Sequence, residues 1–262
     1  MSTETVLVTG ASSGIGRELA KCFAAEGSRL VLVARKRDAL QALADELRAA
    51  YKTHSEVLPA DLAEPDTPAR IFAHLQSNGT KIDVLVNNAG FGLYGKFADL
   101  PLERQIEMVR VNVTAPTHLA RLFLPGMIER RRGGVLNVAS TAAFVPGPSL
   151  AVYYATKAYV LSFSEALAEE VAGKGVTITA FCPGPTETNF AAAAAAQFSR
   201  LFKRNAMPAD AVALIGHRAF RQGRAVAVAG LRNRLLVFSV RLSPRMLVRK
   251  IAGRLNNASR NG

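Results

Sequence analysis

Thr9-Gly10-Ala11-Ser12-Ser13-Gly14-Ile15-Gly16 follows the aliphatic run Thr5-Val6-Leu7-Val8 and leads into a segment of helical period. In that segment Ile15, Leu19, Cys22 and Phe23 recur at i, i+4, i+7 and i+8, so residues 15–26 read as a helix with one apolar face, and Gly27 suits its C-terminus. Glycines between a first strand and a first helix let the backbone turn tightly and approach a pyrophosphate. Its charge is then met by backbone N–H groups and the positive end of the helix. The spacing is Gly-x-x-x-Gly-x-Gly rather than Gly-x-Gly-x-x-Gly.

Outward from this loop the same unit repeats. Leu30-Val31-Leu32-Val33 reads as a second strand, 39–50 as a helix, Val57-Leu58 as a short third strand ending at Asp61, 67–77 as a helix and Val84-Leu85-Val86 as a fourth strand. Helices over 102–111 and 113–131 precede a fifth strand, Val135-Leu136-Asn137-Val138. A helix over 152–171 precedes a sixth, 176–180, and a helix over 208–222 precedes a seventh, 225–228. Short buried β-branched runs alternating with helical segments predict βαβ units and a parallel α/β sheet. The six alanines at 191–196 suit a short helix, alanine being the best helix former.

Further along lie Asn87-Asn88-Ala89-Gly90 after the fourth strand, Asn112, Ser140, a Tyr153/Lys157 pair, and Pro183-Gly184 with Thr186 and Thr188 after the sixth strand. With the glycine loop (Gly10, Ser12, Ser13, Gly14, Ile15, Gly16), this ordered set resembles the short-chain dehydrogenase/reductase family from about Val6 to Thr188. The resemblance implies a single-domain Rossmann-type doubly wound sheet of seven parallel strands in the order 3-2-1-4-5-6-7, with helices on both faces. It also implies a catalytic tetrad of Asn112, Ser140, Tyr153 and Lys157. Asn88, Ala89 and Gly90 would line the adenosine side of the cofactor, Asp61 and Leu62 its adenine, and Pro183, Gly184, Thr186 and Thr188 its nicotinamide side. Family members commonly form dimers or tetramers through the long helices flanking the fifth strand, so a homodimer or homotetramer is implied.

The chemistry of the tetrad also follows from the residue types. Tyr153 and Lys157 are four apart in a helical segment and share a face. A phenol near its usual pKa of ~10 is a poor base at neutral pH, and a neighbouring ammonium would favour its ionised form. Ser140, just past the fifth strand, is placed to hydrogen-bond a substrate oxygen, and Asn112 to position a water that relays protons. Tyr154 and Tyr159 lack a lysine four residues on.

Cofactor preference is read at the end of the second strand. Val33-Ala34-Arg35-Lys36 has no carboxylate for a ribose 2′-hydroxyl, and Arg35, helped by Ser13 and Arg17, suits a 2′-phosphate, which predicts NADP(H). The expected activity is NADP(H)-dependent interconversion of a ketone and a secondary alcohol, with Tyr153 as general acid/base. The alternative is a regulatory or scaffold protein that holds NADP without turnover.

Substrate-side positions are Phe91, Phe144 and Phe190. With Leu93, Tyr94, Phe198 and Phe202 they suit either a hydrophobic carbonyl substrate or the underside of a lid. The histidines (His54, His74, His118, His217) are scattered, and Cys22 and Cys182 match no metal-ligand spacing, so no metal is expected.

Charge divides the chain. Of 33 basic residues against 20 acidic ones, net +13, residues 211–262 hold 11 basic and no acidic residues, leaving the rest at +2. This separates a catalytic domain, 1–230, from a basic C-terminal extension, 231–262. In the extension Leu231, Leu235, Phe238 and Leu242 form one stripe, and Leu247, Val248, Ile251 and Leu255 another beyond Pro244, both flanked by arginines. Two readings stand together: peripheral membrane contact through 231–255, or docking on the body or a partner subunit. Basic residues interleaved with Leu, Val and Phe do not suit nucleic acid. With no signal-peptide pattern at 1–5 and no apolar run of spanning length, the expectation is a soluble, cytoplasmic protein.

Overall fold

The structure is a computed structural model that describes residues 4–188 and 206–257. Seven strands, β1 (Thr5–Thr9), β2 (Arg29–Ala34), β3 (Ser55–Pro59), β4 (Val84–Asn87), β5 (Gly134–Val138), β6 (Thr177–Cys182) and β7 (Val226–Val228), form one sheet in the order β3-β2-β1-β4-β5-β6-β7. Every pairing is parallel: Val6 lies beside Leu30 and Val84, Leu136 beside Val86 and Thr179, and Cys182 beside Val228. This is the Rossmann-type sheet and strand order anticipated above. Parallel strands need crossovers, and the helices that supply them cover both faces, which is why the strands read as unbroken aliphatic runs.

Successive β1 side chains point to opposite faces. Val6 and Val8 pack with Leu19 and Phe23 of α1 (Gly14–Ala25), Leu40 and Leu43 of α2 (Arg37–Tyr51), and Val212 and Phe220 of α7 (Ala209–Arg221). Leu7 packs on the other face with Ile71 and Leu75 of α3 (Thr67–Ser77) and with Leu119, Phe123 and Met127 of α5 (Ala115–Glu129). Between α4 (Leu102–Val109) and α5, residues Arg110–Thr114 form one π turn. The long α6 (Ala151–Glu170) follows a 3₁₀ turn, Thr141–Phe144.

Beyond β7 come α8 (Leu231–Leu242) and α9 (Arg245–Asn257), divided at Pro244 as Pro's missing N–H and fixed φ require. The apolar stripe of α8 is turned away from the body. Leu231, Leu235, Phe238 and Leu242 are 61–74% exposed, while Val237, on another side of the helix, is buried. Docking of this stripe on the body is therefore not what the fold does. Phe190 and the alanine run at 191–196 lie outside the described residues, as do Phe198 and Phe202. Among the described residues no helix is long and apolar enough to cross a membrane.

Candidate active site

A cleft of about 710 Å³ opens along the carboxyl ends of β1, β4, β5 and β6, where the strand order reverses between β1 and β4. Its size is within the ~300–1,000 Å³ typical of cofactor and small-molecule sites. Gly10, Ser12, Ser13, Gly14 and Ile15 line one end. Arg35, Asp61, Leu62, Asn88, Ala89 and Gly90 follow, and Ser140, Tyr153, Lys157, Pro183, Gly184, Thr186 and Thr188 line the other end. Gly16 and Asn112 stand behind this lining.

The glycine loop is held by contacts that the motif spacing alone does not reveal. Thr9 Oγ1 donates to the Val86 carbonyl (3.1 Å) and accepts from the N–H groups of Asn88 (3.0 Å) and Ala89 (3.1 Å). Asn88 Nδ2 in turn donates to the carbonyls of Thr9 (3.0 Å) and Gly10 (3.3 Å). Gly10 has φ +65°, and a Cβ there would come within 2.9 Å of the Ala89 backbone. At Gly16 a Cβ would lie 2.2 Å from Asn88 Nδ2 and 2.5 Å from the Gly10 carbonyl. Glycine is demanded by this close approach, and the cradle keeps the start of α1 open to the cleft. Asn88 acts here mainly as a brace for the loop.

At the β2 end Arg35 and Lys36 both line the cleft, and Asp38 sits in the first turn of α2. The absence of a carboxylate in 33–36 is only half the electrostatics. Glu107, from α4, also lines the cleft, with its carboxylate 4.0 Å from the Arg35 guanidinium and ion-paired to Arg104. Arg17, expected to help with a 2′-phosphate, is instead paired with Glu46 of α2, whereas Ser13 does line the cleft.

At the opposite end α6 presents Tyr153 and Lys157 one turn apart. Ser140, with extended backbone, caps the 3₁₀ turn: its Oγ accepts from the Ala142 N–H (3.1 Å) and donates to the Pro183 carbonyl (3.4 Å). Lys157 Nζ donates to the Val138 carbonyl (2.8 Å) and lies 5.9 Å from the centre of the Tyr153 ring. Burial pushes the Tyr153 phenol up to about 12, and the Ser140 hydroxyl hydrogen-bonded to it pulls weakly the other way. Burial also brings Lys157 down to about 8. The expectation that the ammonium would draw the phenol toward ionisation is thus reversed: desolvation dominates both groups, and Tyr153 is a neutral hydroxyl at physiological pH.

Asn112 lies in the π turn and is buried. Its Nδ2 donates to the Phe91 carbonyl (2.9 Å) and Thr156 Oγ1 (3.1 Å), and its Oδ1 accepts from the Phe91 N–H (3.1 Å). With both amide donors engaged, the side chain clamps the loop after β4 against α6 and has no N–H to hold a relay water. Its main-chain carbonyl is better suited, since Pro116, four residues on, has no N–H with which to close an α-helical bond.

Phe91 lines the cleft, with the Arg104 guanidinium 5.1 Å from its ring centre. Phe144 does not line it. Phe144 packs beside Ala139, Val160 and Leu161 and borders a separate groove near β7. Leu150, Tyr154, Ala142 and Val111 contribute lining that carries no sequence signature of its own. Cys22 and Cys182 are thiols pushed up by burial to about 11 and about 12.

The short chain dehydrogenase family profile matches residues 4–198. A short chain dehydrogenase of Pseudocercospora fijiensis is 38% identical over 191 residues, covering 72% of this chain and 62% of that protein. A very-long-chain 3-oxoacyl-CoA reductase of Bos taurus is 36% identical over 192 residues, covering 72% and 61%. The match thus spans about three fifths of the length of these curated relatives. A solved short-chain dehydrogenase from Sphingobium yanoikuyae in complex with NADPH superposes with a TM-score of 0.81 at 33% identity, over 90% of this chain and 92% of that one.

Proposed function

The chain belongs to the short-chain dehydrogenase family, and from that premise we propose that it is an NADP(H)-dependent oxidoreductase that interconverts a hydrophobic ketone and the corresponding secondary alcohol. The observation that carries this reading is the single cleft in which the glycine cradle, the cationic β2 end and the Ser140–Tyr153–Lys157 cluster meet. The NADPH bound by the Sphingobium yanoikuyae relative and the acyl substrate in the name of the Bos taurus relative support the cofactor and the apolar substrate.

Backbone N–H groups of 12–16 would hold the pyrophosphate at the start of α1, Arg35 and Lys36 the 2′-phosphate, Asp61 and Leu62 the adenine, and Lys157 with the 183–188 loop the nicotinamide side. A bound reduced nicotinamide supplies the hydride. Ser140 orients the substrate carbonyl oxygen, and Tyr153, neutral because it is buried, gives that oxygen its hydroxyl proton as the alcohol forms. The Lys157 ammonium stands beside the phenolate left behind, and the Asn112 carbonyl provides an acceptor for water that returns the proton.

The test combines NADPH binding, followed by nicotinamide fluorescence, with NADPH oxidation against a panel of bulky aliphatic and aromatic ketones. Turnover should fall by roughly 10²–10⁴-fold in Tyr153→Phe with NADPH binding retained. Binding without turnover on any ketone, and no effect of Tyr153→Phe, would identify an NADP-holding scaffold instead.

A further inference from the structure

The stripe Leu231, Leu235, Phe238 and Leu242 faces solvent along α8, and Met246, Leu247 and Ile251 continue exposed apolar surface onto α9. These two helices hold eight of the fourteen large hydrophobic side chains exposed among the described residues. An apolar face of this extent marks a surface that something covers.

Charge decides what fits. No acidic residue occurs from 211 to 262. Arg218, Arg224, Arg234 and Arg241 border a groove of about 620 Å³ between α7, β7 and α8 that is lined by Ile215, Val226, Val228 and the buried Val237, with Phe238 exposed at its rim and Glu165 a lone acid at its edge. On α9, Arg249, Lys250 and Arg254 are exposed among the apolar positions. A two-fold contact between copies would press this cationic surface against itself within a Debye length of ~8–10 Å. An anionic bilayer supplies both the apolar layer and the negative charge that the face lacks.

The surface also sits beside the substrate side of the cleft. Asn233 of α8 packs so closely on Gly184 that a Cβ there would lie 2.3 Å from its amide, and Gly253 of α9 lies beside Pro148, where an added Cβ would come to 3.4 Å of the proline ring. Pro148 belongs to the 145–150 segment between Ser140 and Tyr153, where Ser149 adopts a φ of +66° and Leu150 lines the cleft.

We propose that α8, α9 and the arginine-bordered groove form a docking surface for an anionic phospholipid membrane, placing the 145–150 segment at the lipid–water boundary where an apolar ketone is concentrated. The docking goes beyond the reductase reading, and only its link to the substrate rests on that reading.

The test is co-sedimentation of the full chain with phosphatidylcholine vesicles, with and without phosphatidylglycerol. The wild type should pellet with the anionic vesicles and stay in solution with the neutral ones. Leu235→Glu combined with Phe238→Glu should weaken pelleting by on the order of tenfold or more. Arg245→Gln combined with Arg249→Gln should weaken it roughly fivefold per cation removed, an effect that salt erases. NADPH oxidation with a water-soluble ketone, measured without vesicles, should be the same in all forms. Equal pelleting with both lipids, no pelleting at all, or unchanged pelleting of the Leu235/Phe238 variant would overturn the proposal. So would a wild-type dimer in light scattering that the Leu235/Phe238 variant abolishes while neither form pellets, since the face would then cover a second copy. Vesicle binding without turnover in any form would overturn the reductase reading and leave the docking standing.

Discussion

Arg35 is two-thirds exposed at the β2 end of the cleft, and its nearest carboxylate, Glu107 at 4.0 Å, comes from α4. A guanidinium on a phosphate is worth about 1.5–3 kcal/mol. Arg35→Ala should therefore lower the preference for NADPH over NADH by about 10–100-fold with turnover largely kept, as read from kcat/KM with each cofactor. A variant that keeps its preference would transfer the role to Lys36. The two groups at the opposite end set the pH response. Lys157, brought by burial to about 8, loses its proton as pH rises through that value, whereas Tyr153, pushed up to about 12, keeps its own. The rate of ketone reduction should accordingly decline as pH rises through about 8, measured under saturating NADPH. A rate level to about pH 10 would show that the ammonium is not needed for the proton step.

At the scale of elements, the joint between β1 and α1 is held from outside both. Asn88 and Thr9 tie the glycine loop to the end of β4, and the absence of a side chain at Gly16 lets α1 start against that brace. Gly16→Ala should push the loop off Asn88 and weaken NADPH binding by on the order of tenfold or more, with only a modest fall in Tm, as followed by fluorescence titration and thermal unfolding. Binding at wild-type strength would mean that the loop relaxes without losing its cradle. A second joint, between β4, β5 and α6, is a buried polar ladder: Asn87 Nδ2 donates to Asn137 Oδ1 (2.9 Å), Asn137 Nδ2 to Ser164 Oγ (2.9 Å), and Ser164 Oγ to the Val160 carbonyl (2.6 Å). It fixes the height of α6 against the sheet and so the position of Tyr153 and Lys157, because each of the three buried donors in it must keep its acceptor.

In the whole molecule, the first helix, α1, and the last crossover helix, α7, are closed on one another through Phe23. Its ring meets His217 edge-on at 4.7 Å and Phe220 at 6.2 Å, with the Arg221 guanidinium 5.0 Å from its centre, while Arg221 reaches Glu4 and Glu26. Phe23→Ala should cost about 3–5 kcal/mol in urea unfolding, since the cavity opens between α1 and α7. NADPH binding by the folded fraction should persist, because Phe23 does not line the cleft. Strands buried on both faces read as continuous aliphatic runs, and helices as a 3.6-residue period, so the alternation, the parallel sheet and the tyrosine–lysine pair were all legible along the chain. These are local consequences of covalent geometry, carried within a few residues of one another. The strand order came with the family resemblance that the ordered motifs carry, and the structure brings Thr9–Gly16, 87–90 and 183–188 to one cleft. What only the tertiary structure decided depends on what covers each face, which periodicity does not specify. It set Phe144 outside the cleft and brought Glu107 into it. It turned the α8 stripe outward, engaged the Asn112 amide with Phe91 and Thr156, and raised Tyr153 where a neighbouring lysine had pointed down. Ionisation and contact follow from burial by residues distant in sequence, and that is a property of the packed molecule.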